Sequence, residues 1–158
     1  RGHLPEEKTE AVTNMRAAFA VAPGALSIVS LAGQWITLPM GPTVNHYYVN
    51  QQGGRGRLLG RDVRVYRRIV YYSLRELTKT PVRQIPAPLR VEVELSFYSK
   101  AKNDLDNRMK GLLDALRLAG MFKDDSEIDE LYIRRGPIVK DGRCRVKITT
   151  ITQEGVPA

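Results

Sequence analysis

The run Asp104-Leu105-Asp106-Asn107-Arg108-Met109-Lys110 places two carboxylates and one ammonium group within seven residues. After a short apolar stretch, Asp124-Asp125 adds two more acids. Carboxylates crowded together are costly unless a cation neutralises them. Oxygen-only donors suit a hard divalent ion such as Mg²⁺ or Mn²⁺. Such an ion polarises a phosphate and acidifies a water molecule, the two requirements for hydrolysing a phosphodiester. A lysine beside the acids can neutralise charge that develops in the transition state or protonate the leaving oxygen.

These side chains must be set by the elements that carry them. Leu105, Met109, Leu112 and Leu116 recur at helical spacing and form an apolar stripe. Asn103 or Asp104 can cap the start of that helix. Asp106 and Lys110 stand four apart and share a face beside the stripe. Ala119-Gly120 closes the helix, and the chain returns through 121–126. That return brings Asp124-Asp125 toward the start of the helix if the following segment runs alongside. Plainer readings stand beside this one. Asp104 can serve as a cap, Asp106 with Lys110 as an i,i+4 ion pair, and Asp124-Asp125 as a turn. Asp114 is expected on the outer, solvated surface of the helix. On residue pattern alone, metal site and helix cap both remain open.

The flanking chain supplies a scaffold and a basic surface. Its 158 residues suffice for one domain with a sizeable core, and 42% of them are hydrophobic. The net charge of +8 favours an acidic partner, nucleic acid before an anionic membrane. Cys144 is the only cysteine, which excludes an intrachain disulfide and a cysteine-based zinc site. The apolar stretch 17–32 is broken by Pro23-Gly24 and follows acidic residues, so it reads neither as a signal peptide nor as a membrane span. Helix formers fill 5–22, and 25–31 reads as a strand or a core segment. Residues 35–38 alternate as a strand and end in Pro39-Met40-Gly41-Pro42.

Gln51 to Arg57 reads as a flexible loop whose Arg55 and Arg57 can follow a phosphate backbone. From Gly60 to Lys79 the spacing predicts a two-faced helix. Val63, Tyr66, Val70, Leu74 and Leu77 face the core, and Arg61, Arg64, Arg68, Arg75 and Lys79 face outward. A nearly all-positive face repels itself and points to an anionic partner. Leu89 to Tyr98 alternates as a strand, as do 131–134 and 143–151, with an Asp141-Gly142 hairpin signal between the last two. The predicted order is strand, helix, strand, helix, strand, strand: an α+β domain with a mixed sheet and helices packed on it.

The site residues also carry a resemblance. Asp104-Leu105-Asp106-Asn107, Lys110, Asp114-Ala115-Leu116, Ala119-Gly120 and Asp124-Asp125 resemble the signature of the RusA family of Holliday junction resolvases, D-L-D-N-x-x-K, then D-A-L, A-G and D-D. Leu38-Pro39, Pro42, Asn45 and Tyr48 are similar to that family's L-P-x-P-P-x-x-N-x-x-Y segment. The resemblance covers 34–152 and implies a RusA-like fold. It also implies an endodeoxyribonuclease of bacteria and their phages that needs Mg²⁺ or Mn²⁺, acts as a homodimer and nicks four-way DNA junctions in recombination and repair. It implies that Asp104, Asp106 and Asp125 hold the metal, with Asp124 as an adjacent candidate, and that Lys110 is the essential lysine. The expected DNA contacts are Asn45, Tyr48, Arg55, Arg57, Arg61, Arg64, Arg68, Arg75, Lys100 and Lys102. Gly41 replaces an expected proline, and Asn103 stands where the family often has a basic residue. The expected divisions are an N-terminal extension over 1–33, a nuclease domain over 34–153 and a tail over 154–158. A metal nuclease for other branched DNA and a non-catalytic basic DNA-binding module are the competing readings. The expected setting is the cytoplasm, at the nucleoid.

Overall fold

The computed structural model describes residues 31–78, 84–101 and 103–152. Its strands are β1 (Ile36–Leu38), β2 (Tyr48–Asn50), β3 (Arg57–Leu59), β4 (Leu89–Ser96), β5 (Ile128–Arg135) and β6 (Arg143–Thr150). Its α-helices are α1 (Arg61–Leu77) and α2 (Met109–Leu118). The mixed sheet runs β1-β6-β4-β5, and β2 pairs with β3 in a separate ribbon. This is the expected α+β arrangement.

β4 is the centre of the sheet. Its Leu89, Val91, Val93 and Leu95 are buried on one face with Cys144, Val146 and Ile148 of β6 and with Ile36 and Leu38 of β1. The helices cover that face. Val63, Tyr66, Val70, Leu74 and Leu77 of α1 and Met109, Leu112, Ala115 and Leu116 of α2 complete one core. Each fully buried aliphatic side chain stabilises the fold by roughly 1.5–3 kcal/mol relative to exposure. The spacing of the apolar residues therefore decides which face of each helix turns inward. α1 also packs directly on α2.

β4 and β5 run parallel. Parallel neighbours need a crossover, and the segment bearing the acidic motif and α2 provides it. The site is thus built where the chain leaves the central strand and crosses the core.

Residues 51–56 form the expected loop, which is the turn of a ribbon: Gln51 N donates to Gly56 O at 3.2 Å, and β2 and β3 flank it in register, Asn50 opposite Arg57. One expectation needs correction. The Asp141-Gly142 turn forms, with φ of 66° and 69°, but joins no hairpin. After β5 the chain crosses the end of β4, with Gly136 N bonding Leu95 O and Val139 N bonding Phe97 O, and β6 then pairs on the far side. Gly136 is needed there, because a Cβ would collide with Ser96 Oγ. The outer side of β4 is also drier than simple alternation implies. Glu94 and Ser96 are buried, and Glu94 is held by Arg134 at 2.9 Å and Arg145 at 3.4 Å.

The readings of 5–22 and of 25–30 lie outside the described residues. Leu31 is described, and it is buried in the core. No helix among the described residues is long and apolar enough to cross a membrane.

Candidate active site

The acidic motif enters α2 through a 3₁₀ turn, Asp106–Arg108. No side chain caps this turn or α2, which removes helix capping as the reason for Asp104. Asp104 is exposed, and its Oδ2 accepts from Asn107 Nδ2 at 3.0 Å, which orients the carboxylate. Asp106 is exposed at the start of the turn. Arg108 donates from Nη1 to Gly41 O, tying the motif to the Pro39–Pro42 loop, and burial pulls its pKa down.

Lys110 does not pair with Asp106. Its Nζ lies 3.6 Å from Asp114 Oδ2, one helical turn further along, and 5.0 Å from the centre of the Tyr47 ring. Asp114 contradicts the expectation of a solvated residue: it is only 8% exposed. The reason is the packing of α1 against α2, which brings Arg67 onto its carboxylate, together with the segment just before β2, which brings Tyr47. Tyr47 donates its hydroxyl hydrogen to Asp114 Oδ2, Arg67 Nη2 stands 3.2 Å from the same oxygen, and Arg117 Nη2 is 4.0 Å from Oδ1. Arg67 also donates to the Tyr47 hydroxyl oxygen. Burial, then the bond to Asp114, pushes the Tyr47 pKa up to about 12.

Sequence reasoning missed Arg67 and Tyr47 as site residues. The signal for Arg67 was present. It lies four residues after Val63 and three before Val70, on the buried stripe of α1, where a cation needs an acidic partner.

Gly120 closes α2 with φ of 87°, and Met121 N returns to Leu116 O at 3.1 Å. The chain then forms a second 3₁₀ turn, Asp125–Glu127, packed against α2. Asp124 caps it by accepting from Ser126 N at 3.0 Å, and this bonding lowers its pKa. Asp125 is not used in this way. Desolvation, then the neighbouring Asp114 charge, raises its pKa, while Arg117 and Lys110 oppose the rise. The return packs the Asp125 turn against α2, the helix that carries Lys110 and Asp114. Among the described residues no three His, Cys, Asp or Glu side chains gather closely enough to share one metal ion. Asp104 and Asp106 precede α2 in the chain, and Asp125 follows it.

The basic candidates differ in their exposure. Arg55 and Arg57 are exposed on the β2–β3 ribbon, and Arg61, Arg64 and Arg68 are exposed along α1. Arg75 is half-buried with its guanidinium 5.1 Å from the Tyr71 ring. Asn45 is exposed in a 3₁₀ turn, and Tyr48 is 48% exposed beside the buried Tyr47. Lys100 is exposed, and Lys102 lies outside the described residues.

The family described as Endodeoxyribonuclease RusA matches residues 38–150. The chain is 30% identical over 124 residues to the crossover junction endodeoxyribonuclease rusA of Enterobacteria phage 82, covering 75% of this chain and 96% of that protein. It is 32% identical over 114 residues to the protein of the same name in Enterobacteria phage HK97, covering 72% and 92%. It is 29% identical over 124 residues to its namesake in Escherichia coli strain K12, covering 75% and 96%.

Proposed function

The chain belongs to the endodeoxyribonuclease RusA family, and on that premise we propose that it is a Holliday junction resolvase, hydrolysing phosphodiester bonds of four-way DNA with Mg²⁺ or Mn²⁺ as cofactor. The observation that carries this reading is the state of the acids. Asp104, Asp106 and Asp125 are all exposed, and none has an ion-pair partner among the described residues. Acids that only stabilised the fold would be paired.

The donor set fits a hard divalent cation. It is all oxygen, and a bound cation would offset both the desolvation and, after it, the neighbouring carboxylate charge that raise the Asp125 pKa. Asp104, Asp106 and Asp125 would hold it once drawn together, since as placed here no three acids lie within reach of one ion among the described residues. Asp124 already accepts from Ser126 N, which lessens its availability as a ligand. The cation supplies Lewis-acid polarisation of the scissile phosphate and acidifies water.

The remaining work falls to side chains of this chain. Asn107 holds the Asp104 carboxylate in one orientation. Lys110 offers its ammonium to charge building on the phosphate oxygens and to the departing oxygen. Arg61, Arg64 and Arg68 on α1, with Arg55 and Arg57 on the ribbon, follow the phosphate backbones. Asn45, Tyr48, Lys100 and Lys102 extend that surface. Cutting two strands symmetrically requires two such sites at a fixed separation, so the working form is a homodimer. The setting is the cytoplasm of a bacterial or phage-infected cell.

The test uses purified protein on a synthetic mobile four-way junction and on linear duplex, with Mg²⁺ and with EDTA. Metal-dependent nicking confined largely to the junction is the expected result. No nicking of any DNA overturns the enzyme assignment, and equal cutting of both DNAs overturns junction selectivity.

A further inference from the structure

We infer that Asp114, clamped by Tyr47 and Arg67, is a positioning residue that holds the Lys110 ammonium in its working place. The inference rests on the nuclease reading above for its meaning in catalysis, and on the observed geometry for its existence. Lysine has a flexible four-carbon stem, and Lys110 is 49% exposed at its side chain. Left alone, its ammonium would sample many places. Here it is fixed from two directions, by Asp114 Oδ2 at 3.6 Å and by the Tyr47 ring at 5.0 Å.

An ordinary exposed i,i+4 pair would hold it weakly, worth about 0.3–0.5 kcal/mol. Asp114 differs because it is buried and cannot move to follow the lysine. Its Oδ2 is pinned by the Tyr47 hydroxyl and by Arg67, which reach it from another part of the core. The charge count makes the same point. Arg67 and Arg117 already compensate the single carboxylate, so the third cation, Lys110, is not needed to neutralise it. The cluster keeps positive charge in excess, and a cation held in excess is suited to a phosphate.

The test measures the acylation rate of each lysine with an amine-reactive acetyl ester, read by peptide mass spectrometry, in native protein, Asp114→Asn and Tyr47→Phe. It is paired with single-turnover cleavage and junction binding. Asp114→Asn is expected to raise labelling of Lys110 several-fold with Lys140 unchanged, and to slow cleavage about 100-fold, the scale of a misplaced catalytic group, with junction affinity kept. Tyr47→Phe keeps the ring but loses the clamp, and should show the same pattern at about 3- to 10-fold in cleavage. If Asp114→Asn fails to fold, Tyr47→Phe decides. Unchanged Lys110 labelling in the folded variant overturns the inference, as does a loss of affinity equal to the loss of rate. If native protein cuts no DNA, the functional reading fails while the Lys110 labelling still decides whether Asp114 holds the lysine.

Discussion

Asp104 and Asp114 lie ten residues apart on the same segment and have opposite fates. Asp104 is exposed, and its one hydrogen-bond partner among the described residues is the Asn107 amide, whereas Asp114 is buried beneath three cations and a tyrosine hydroxyl. Nothing in their chemistry separates them; the packing of α1 on α2 does. An acid with its bonds already made acts through what it holds. An acid with open lone pairs is available to a metal or a substrate. Both are needed, because a reacting group is only as well placed as the groups that support it.

If that contrast is right, substitutions on the two flanks should fail in different ways. Asp106→Asn should lower the cleavage rate by about 100-fold or more, while thermal unfolding shows a stability change within about 0.5 kcal/mol. A large loss of stability would place Asp106 with Asp114. For Asp114→Asn the order reverses in the fold itself. Removing the carboxylate strands the half-buried Arg67, and urea unfolding should show a loss of about 3 kcal/mol. A neutral result would mean that Arg67 finds another partner.

Exposure also decides the role of the basic surface. Arg64→Ala combined with Arg68→Ala should leave stability unchanged but flatten the salt dependence of junction binding, reducing the log–log slope by about 2. An unchanged slope would remove α1 from the DNA path.

The smallest effect concerns Tyr47. Its folded pKa is raised from 10.0 to about 12, so the stability it confers is complete below pH 10 and is lost as pH rises through about 12. Tyr47→Phe should remove that loss from the alkaline unfolding profile, and tyrosinate absorbance of native protein should show the late titration.

Much of this arrangement was legible in the residues. Apolar spacing located α1, α2, β4 and β6, because burial of one face decides each of them. The Asp104–Lys110 motif and Asp125 were visible as chemistry-bearing types at fixed intervals. What local pattern could not show was contact between distant elements. Asp114 occupies an outward-looking position in the α2 sequence, and only the approach of α1 buries it. Arg67 was passed over for the same reason, although it lies on the buried stripe of α1. The Asp141-Gly142 turn formed as its sequence demands, yet the partner of β6 was set by the chain crossing the end of β4, a matter of topology rather than turn chemistry.

The most direct measurement compares native protein and Asp104→Asn on one mobile four-way junction, following binding by gel shift and nicking by denaturing gel in the presence of Mg²⁺. The account predicts that the variant binds within about 3-fold of native protein while nicking falls below detection, since an exposed acid contributes chemistry and not fold. Loss of binding together with nicking, or nicking at the native rate, would contradict it.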